Sequence, residues 1–418
     1  MDGWTLHLVE PTHFHAALLL QKLDRRIAGP IFVHARADWN DVPFLGWIHS
    51  LEARNWDIAQ LKVVRSLDPI QEILKCGGRP LAVLAGQNPC KADRVLRLLL
   101  ANVPVLCDKP LWVNNATGKG LANFIQSTNQ LIFLDDCMTE RFEPVFELQK
   151  LLLSEGLPGF ELRPGQPERV RFYLCNTHHL SKNVAGVPVR RDNSFFQTDS
   201  YGDPFSDVGI HLVDHYLRLL TALGVSTSSI DQNPGRVESF WNSIDPQTLA
   251  ISSESGAIPF PMKQVWHGGK GPNRSRITTE WLPASPQVPP ECQSAVVHGA
   301  NGSLVASMDP STHAMFLDLA GLPRGERVDW LKVLRKITNK LPEPWPHTLI
   351  EETRFGARMT PPQSTTMDHA ARFPLVFNLF LNRIQKSRPL NAFERHNLLL
   401  KYAISAGATR DFSQSLNS

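Results

Sequence analysis

The sequence predicts a two-part α/β protein: a parallel sheet with helices on both faces, then a strand-rich part whose strands pair directly with one another. Three observations predict it. The chain has 418 residues, more than one hydrophobic core ordinarily organises. In its first third, short aliphatic runs alternate with helical patterns, the rhythm of parallel strands joined by crossover helices. From about residue 170 onward, strand patterns follow one another with turn signals between them, the rhythm of antiparallel pairing. We place the division at 1–140 and 141–418.

In the first part Trp4–Val9, Ile31–Ala35, Leu61–Val64, Leu81–Ala85, Val103–Cys107 and Gln130–Leu134 read as strands, with helices near 13–26, 44–55, 69–76, 90–102 and 114–128. This is a Rossmann-like order, and ligands bind such sheets outside the carboxyl ends of the strands. In the second part Val170–Cys175, Arg236–Trp241, Met262–His267, Arg276–Trp281, Ala295–His298 and Ser303–Met308 read as strands. His298-Gly299-Ala300-Asn301-Gly302 is a hairpin signal. Stretches 283–291 and 341–366, rich in Pro, Ser and Thr, read as loops, and 326–340 and 369–387 as helices. There is no internal repeat.

Composition narrows the function classes. With 42% hydrophobic and 20% charged residues the chain is globular, and 43 basic against 40 acidic residues leave no basic run suited to nucleic acid or an anionic membrane. The N-terminus lacks the layout of a secretion signal, and no apolar run is long enough to span a bilayer. Cys76, Cys90, Cys107, Cys137, Cys175 and Cys292 are scattered without a Cys-x-x-Cys pair, which predicts reduced thiols and a cytoplasmic setting. A small-molecule partner is expected.

Asp207-Val-Gly-Ile-His211-Leu-Val-Asp214 opens a helical pattern, running to Leu220, that is apolar in most directions. By the helical period Asp207, His211 and Asp214 share one strip. Asp214 holding His211 and Asp207 capping the helix would account for them structurally; a carboxylate four residues before a histidine also suits proton transfer to a bound hydroxyl.

The loop after the first strand, Glu10-Pro11-Thr12-His13-Phe14-His15-Ala16, stands where a dinucleotide-binding domain carries G-x-G-x-x-G, yet it has no glycine. It is either a plain capped helix start or a wider loop that still meets a pyrophosphate through Thr12, His13 or His15. At the second strand end Arg36 suits a 2′-phosphate and Asp38 a ribose diol, leaving NAD and NADP both open. The fourth strand opens into Gly86-Gln87-Asn88-Pro89-Cys90-Lys91. The fifth runs into Cys107-Asp108-Lys109-Pro110, where the proline holds Lys109 extended and lets its ammonium point into the crevice. A strand-end lysine is otherwise a solvated surface charge.

These stretches, with Phe133-Leu134-Asp135-Asp136-Cys137-Met138-Thr139-Glu140-Arg141-Phe142-Glu143-Pro144, resemble in collinear order the Gfo/Idh/MocA oxidoreductases, the family of glucose-fructose oxidoreductase and inositol dehydrogenase. The first loop and the segment 177–191 look like one branch of that family, whose loop reads Pro-Gly-His-Phe-His; here Thr12 replaces the glycine. The resemblance implies a second domain with a large, mostly antiparallel open sheet, often used in dimer or tetramer contacts. It also implies NAD or NADP as cofactor, held by Pro11, Thr12, His13, Phe14, His15, Arg36, Gly86, Asn88, Asp108 and Lys109, with Asn88 against the nicotinamide ribose. Lys109 corresponds to the catalytic lysine, Asp207 to the carboxylate and His211 to the acid/base.

Each role also has a physical ground. Oxidising a secondary alcohol requires a base at the hydroxyl, for which His211 has the right intrinsic pKa, and a cation for the developing alkoxide, which Lys109 supplies. Asp207 would orient His211 or hold a neighbouring hydroxyl. His178, His179 and Lys182, with Arg190 and Arg191, form either a surface loop or a donor-rich wall for a polyol or sugar-like substrate. Three readings compete: an oxidoreductase for a sugar, cyclitol or glycoside hydroxyl; a redox-neutral enzyme that uses the same cofactor to cleave a glycoside; and a non-catalytic binder. No metal is expected, since the ammonium of Lys109 would repel a cation at Asp207, His211 and Asp214.

Overall fold

The computed structural model describes residues 3–406 apart from 40–41, 57, 59, 87, 161–169, 190–192, 226, 228–234, 245–257, 269–274, 283–290, 301, 310–311 and 320–328. Six parallel strands, β1 Thr5–Val9, β2 Ile31–Arg36, β3 Leu61–Ser66, β4 Pro80–Leu84, β5 Val105–Cys107 and β6 Leu134–Asp136, form one sheet in the order β3-β2-β1-β4-β5-β6. The order reverses between β1 and β4, which opens a crevice outside their carboxyl ends. Helices α1 His15–Leu19, α2 Val42–Glu52, α3 Pro69–Lys75, α4 Lys91–Leu100 and α5 Asn115–Ser127 cross between the strands. Local chemistry sets their starts. Asp68 accepts from the N–H groups of Ile70 (3.0 Å) and Gln71 (3.3 Å) just before Pro69 opens α3, and Asn114 caps α5 through the N–H of Thr117 (2.9 Å).

Helix α6 Pro144–Ser154 leads into a nine-stranded sheet, ordered β10-β11-β12-β7-β13-β14-β15-β17-β16. Its strands are β7 Arg171–His179, β10 Arg236–Ile244, β11 Ile258–Gly268, β12 Ser275–Leu282, β13 Cys292–His298, β14 Ser303–Ser307, β15 Ala314–Asp318, β16 Leu349–Thr353 and β17 Gly356–Thr360. Among the described residues of this sheet, β7 and β12 pair in parallel and every other neighbouring pair is antiparallel. A separate hairpin joins β8 Lys182–Val184 to β9 Val187–Val189. Helices α7 Thr198–Tyr201 and α8 Ile210–Ala222 lie between β9 and β10, and α9 Trp330–Thr338 lies between β15 and β16. The α6 and α8 residues Phe146, Leu152, Leu212 and Val213 share a core with Phe172, Leu174, Trp266 and Val297 of the sheet. The chain ends with α10 Arg372–Gln385 and α11 Ala392–Ala406, which return to the parallel sheet. Phe373, Phe377 and Phe380 join the core of α1, β1 and β2, while Leu398 and Tyr402 join that of β4 and β5.

Several expected boundaries shift. The helix expected over 13–26 is five residues of α1 and a short 3-10 turn, Leu20–Lys22. The strand expected at Gln130–Leu134 forms four residues later as β6, because buried partners from α11 allow Asp136 to sit inside a strand. Stretch 341–366, expected as loop, holds the β16–β17 hairpin, completed only by β15 alongside. Strand β7 runs on to His179, so His178 and His179 are strand residues. The expected loop at 283–291 falls, but for Glu291, outside the described residues. All six cysteines are free; Cys107 and Cys137 are buried and Cys90 is exposed. No helix among the described residues is long and apolar enough to cross a membrane.

Candidate active site

The crevice at the carboxyl ends of β1, β4 and β5 gathers most of the residues singled out above. Gly86, just after β4, sits so close to the first loop that a Cβ there would lie 2.3 Å from the carbonyl oxygen of Glu10, so only glycine fits. Glu10 takes a left-handed φ of 39° where glycine was expected. Its buried carboxylate accepts from the N–H of Arg36 (3.0 Å) and from Arg36 Nε (3.1 Å), and meets Arg94 Nη2 at 2.5 Å. Arg36 thus stays at the end of β2, half-exposed and also 3.6 Å from Asp38; the Glu10 carboxylate raises its pKa.

In the first loop, following Pro11, the N–H groups of Thr12 and His13 both donate to Ala85 O, at 3.1 and 3.0 Å. The Thr12 hydroxyl is buried with no partner among the described residues. The rings of His13 and His15 turn to Asp108: His13 Nδ1 lies 3.1 Å from Oδ2 and His15 Nδ1 lies 2.9 Å from Oδ1. Phe14 between them stacks on Trp47. Burial keeps the His15 imidazole well below its ordinary pKa, so the ring is neutral and donates. Burial would raise the Asp108 carboxyl, but His15 and His13 together hold it well below the usual carboxylate range.

Lys109 is buried, and its peptide bond to Pro110 is cis. Beneath it the buried Lys91 ammonium donates to Asp108 O (3.2 Å) and Pro110 O (3.1 Å), tying the loop to the start of α4. Lys109 Nζ reaches across to the second part of the chain, 2.6 Å from Asp207 O and 2.5 Å from Asp207 Oδ1. The backbone explains that double contact. Phe205–Gly209 is a π turn, and α8 begins only at Ile210. Its wider spiral breaks the regular α-helical ladder, so side chains can take its carbonyls: Lys109 takes that of Asp207, and Asn176 Nδ2 that of Val208 (3.1 Å). The strict α-helical alignment of Asp207 with His211 does not carry over.

His211 meets a carboxylate the sequence reading left out. Its Nδ1 is 2.8 Å from Glu140 Oε2, and the Thr139 hydroxyl donates to that same oxygen at 2.7 Å. Burial would raise the Glu140 carboxyl, but His211, with His369 and Arg372 behind it, holds it well below the usual range. Cys137 lies among Asp108, Glu140 and Lys109; burial, then these carboxylates, push its thiol pKa far up, so it stays protonated. The signal for Glu140 was present in the motif 133–144, but nothing local pointed it at His211.

Asp214 pairs with Arg141 (2.6 Å) and Lys401 (3.0 Å) rather than with His211. These belong to a clamp in which Lys401 also meets Asp136 at 2.6 Å, and the Tyr402 hydroxyl donates to Asp136 at 2.8 Å. A cavity of about 610 Å³ opens beside the clamp, lined by Asp135, Asp136, Arg141, Asp214 and Lys401; its charges are paired with one another, which marks it as structural.

Asn88 is buried, and its amide donates to Tyr201 O in α7. His178 stands two residues beyond Asn176 in β7, on the same sheet face, packed against Trp281 with ring centroids 5.5 Å apart. The backbone N–H of His179 donates to Glu291 Oε1 at 2.8 Å. Lys182 pairs its backbone in β8, and its side chain and Arg191 lie outside the described residues.

No family model matches the chain. Trans-1,2-dihydrobenzene-1,2-diol dehydrogenase of Mus musculus is 28% identical over 109 residues, 26% of this chain and 32% of that enzyme, so the match spans about a third of the curated relative. Among solved structures, a protein of Parabacteroides merdae classed as an oxidoreductase superposes with a TM-score of 0.80 at 22% identity, over 99% of this chain and 98% of that one. Levoglucosan dehydrogenase in its apo form superposes with a TM-score of 0.60 at 13% identity, covering 98% of each chain. The chain therefore shares the fold of these two proteins over nearly its whole length.

Proposed function

We propose that the chain is an NAD(P)-dependent oxidoreductase acting on a secondary hydroxyl of a sugar, cyclitol or glycoside. One observation carries the reading: the Lys109–Asp207 ion pair and the His211–Glu140 pair stand within one helical turn of each other along Asp207–His211, at the strand-end crevice. The neighbours support the class of cofactor and substrate, since levoglucosan dehydrogenase is known in complex with NADH and levoglucosan.

The residues present fit a dinucleotide along this edge. The Thr12 hydroxyl is an orphaned buried polar atom at the centre of the first loop, the group a phosphate oxygen would satisfy. The His13 and His15 rings, turned to Asp108, would border the cofactor through that carboxylate instead of meeting phosphate themselves. Gly86, Asn88 and Asp108 would line the nicotinamide side, and Arg36 the adenosine ribose. Bound there, the cofactor supplies the hydride acceptor or donor.

The remaining work falls to the chain's own side chains. With a proton on Nδ1 facing the Glu140 carboxylate, His211 presents Nε2 as the base for the substrate hydroxyl. The Lys109 ammonium steadies the oxygen as it gains charge, and Asp207 holds that ammonium in place. Calorimetric titration of folded, nucleotide-free protein with NAD, NADH, NADP and NADPH tests the reading, followed by a panel of sugars and cyclitols assayed at the reduced-nicotinamide absorbance. Binding of at least one nucleotide and turnover of a polyol are expected; no heat with any of the four overturns the reading.

A further inference from the structure

Away from the Lys109 site, the parallel sheet carries a second cluster of chemically able side chains. His7 in β1 and His34 in β2 are 0% and 1% exposed, on the side where α3 packs against both strands. Their rings face each other, with His7 Nδ1 2.8 Å from His34 Nε2. Cys76 follows directly after α3, half-buried, and its thiol donates to Glu72 O at 3.3 Å. One ligand atom from each of His7, His34 and Cys76 lies within 4.8 Å of the other two.

As a plain core contact this arrangement is poor. Two neutral imidazoles can share one hydrogen bond, and each then needs a second partner for its other nitrogen. Here His7 Nε2 and His34 Nδ1 are buried and have none among the described residues. Each such orphan costs about 1–3 kcal/mol, and an apolar pair of the same shape would avoid the cost. No cation is needed to explain a buried Leu or Phe pair, but two lone-pair nitrogens beside a sulfur form a donor set.

We infer that His7, His34 and Cys76 form a binding site for a divalent transition metal of zinc's type. Two imidazole nitrogens and a thiolate are the donors such an ion prefers, whereas calcium and magnesium require oxygen ligands. A tetrahedral ion with bonds of about 2.0–2.3 Å needs donor atoms about 3.3–3.8 Å apart, and separations below 4.8 Å put that within reach of small side-chain rotations. Binding transfers the Cys76 thiol proton to solvent and leaves both rings neutral. The half-buried Cys76 gives the ion its way in. The fourth position falls to water, since the Glu72 carboxylate is turned to the exposed Lys75 (2.7 Å). The ion would tie β1, β2 and the end of α3 together behind the first loop, where His34 O already accepts the Glu10 N–H at 2.9 Å. The role is structural and independent of the proposed chemistry.

The test loads chelator-stripped full-length protein with Zn²⁺ or Co²⁺ and reads metal content after dialysis, the cobalt spectrum and the melting temperature. One tightly held equivalent, a thiolate-to-cobalt charge-transfer band and a raised melting temperature are expected. Cys76→Ser, at a half-buried position that tolerates the change, should abolish the band and the tight equivalent, and His34→Gln should weaken binding at least tenfold. Two results overturn the inference: no metal retained by wild-type protein above the Cys76→Ser level, or tight cobalt without a thiolate band. The second places the ion elsewhere, at His13, His15 and Asp108, whose donor atoms also lie within 4.8 Å of one another.

Discussion

Lys109, Asp207, His211 and Glu140 are short of solvent, and each is held by a group of opposite or complementary character from another element. That arrangement makes their substitutions informative. Lys109→Ala and His211→Ala should each lower kcat/KM by about 10²–10⁴-fold, with the far-ultraviolet circular dichroism unchanged, because both are invoked for charge and proton transfer in the transition state. Near-normal rates in either variant would reject the assigned roles. Glu140 acts through His211, so Glu140→Gln should lower kcat at least about tenfold while leaving KM within about twofold. A rise in KM with kcat intact would instead make Glu140 part of the substrate pocket.

Among the elements, α8 shows how packing assigns work to a helix. Its π-turn start frees carbonyls for Lys109 and Asn176, and its next turns bury His215, stacked on Phe146 with centroids 4.3 Å apart. His215 Nε2 lies 3.0 Å from Gln149 Oε1, and Gln149 Nε2 donates to Ala295 O and Leu304 O at 2.8 and 3.0 Å, which pins α6 to the sheet. Burial keeps the His215 pKa well below its ordinary 6.5. The unfolded imidazole therefore binds a proton below pH 6.5 that the folded one refuses, so this contribution is complete above 6.5 and is lost as pH falls. Urea unfolding of the wild type should show stability declining over that range, and His215→Gln should flatten the slope. In α5, Gly118 lies under Trp112, where a Cβ would come within 2.4 Å of the indole. Gly118→Ala should destabilise the protein by about 1–3 kcal/mol in spite of alanine's better helix propensity; a gain in melting temperature would mean the indole can move aside.

At the scale of the whole molecule, α11 locks the two sheets together. Lys401 is 2% exposed and bridges Asp136 of β6 to Asp214 of α8. Replacing it leaves Asp136 fully buried, with only the Tyr402 hydroxyl and a longer 3.5 Å contact to Arg141. Lys401→Met should therefore cost about 3–5 kcal/mol in denaturant unfolding, against within about 0.5 kcal/mol for the exposed Lys386→Met. Equal losses would remove the clamp from the account.

The sequence by itself determined the alternation of strand and helix, the parallel sheet, the strand-rich second part and the collinear family motifs. All of these are local patterns, set by side-chain period, capping residues and turn chemistry within a few positions. Tertiary structure decided who partners whom. Asp207 reads as a neighbour of His211 along an ideal helix, but the π turn sends it to Lys109 and leaves His211 to Glu140. Asp135 and Asp136 read as lying just past a strand that ends at Leu134, yet β6 includes them because Lys401, far along the chain, neutralises Asp136. The β16–β17 hairpin reads as loop because its edge strand β16 is mostly exposed and β17 gains its second partner only from β15. Charges and edge strands take their places from partners remote in sequence, and no local period records them.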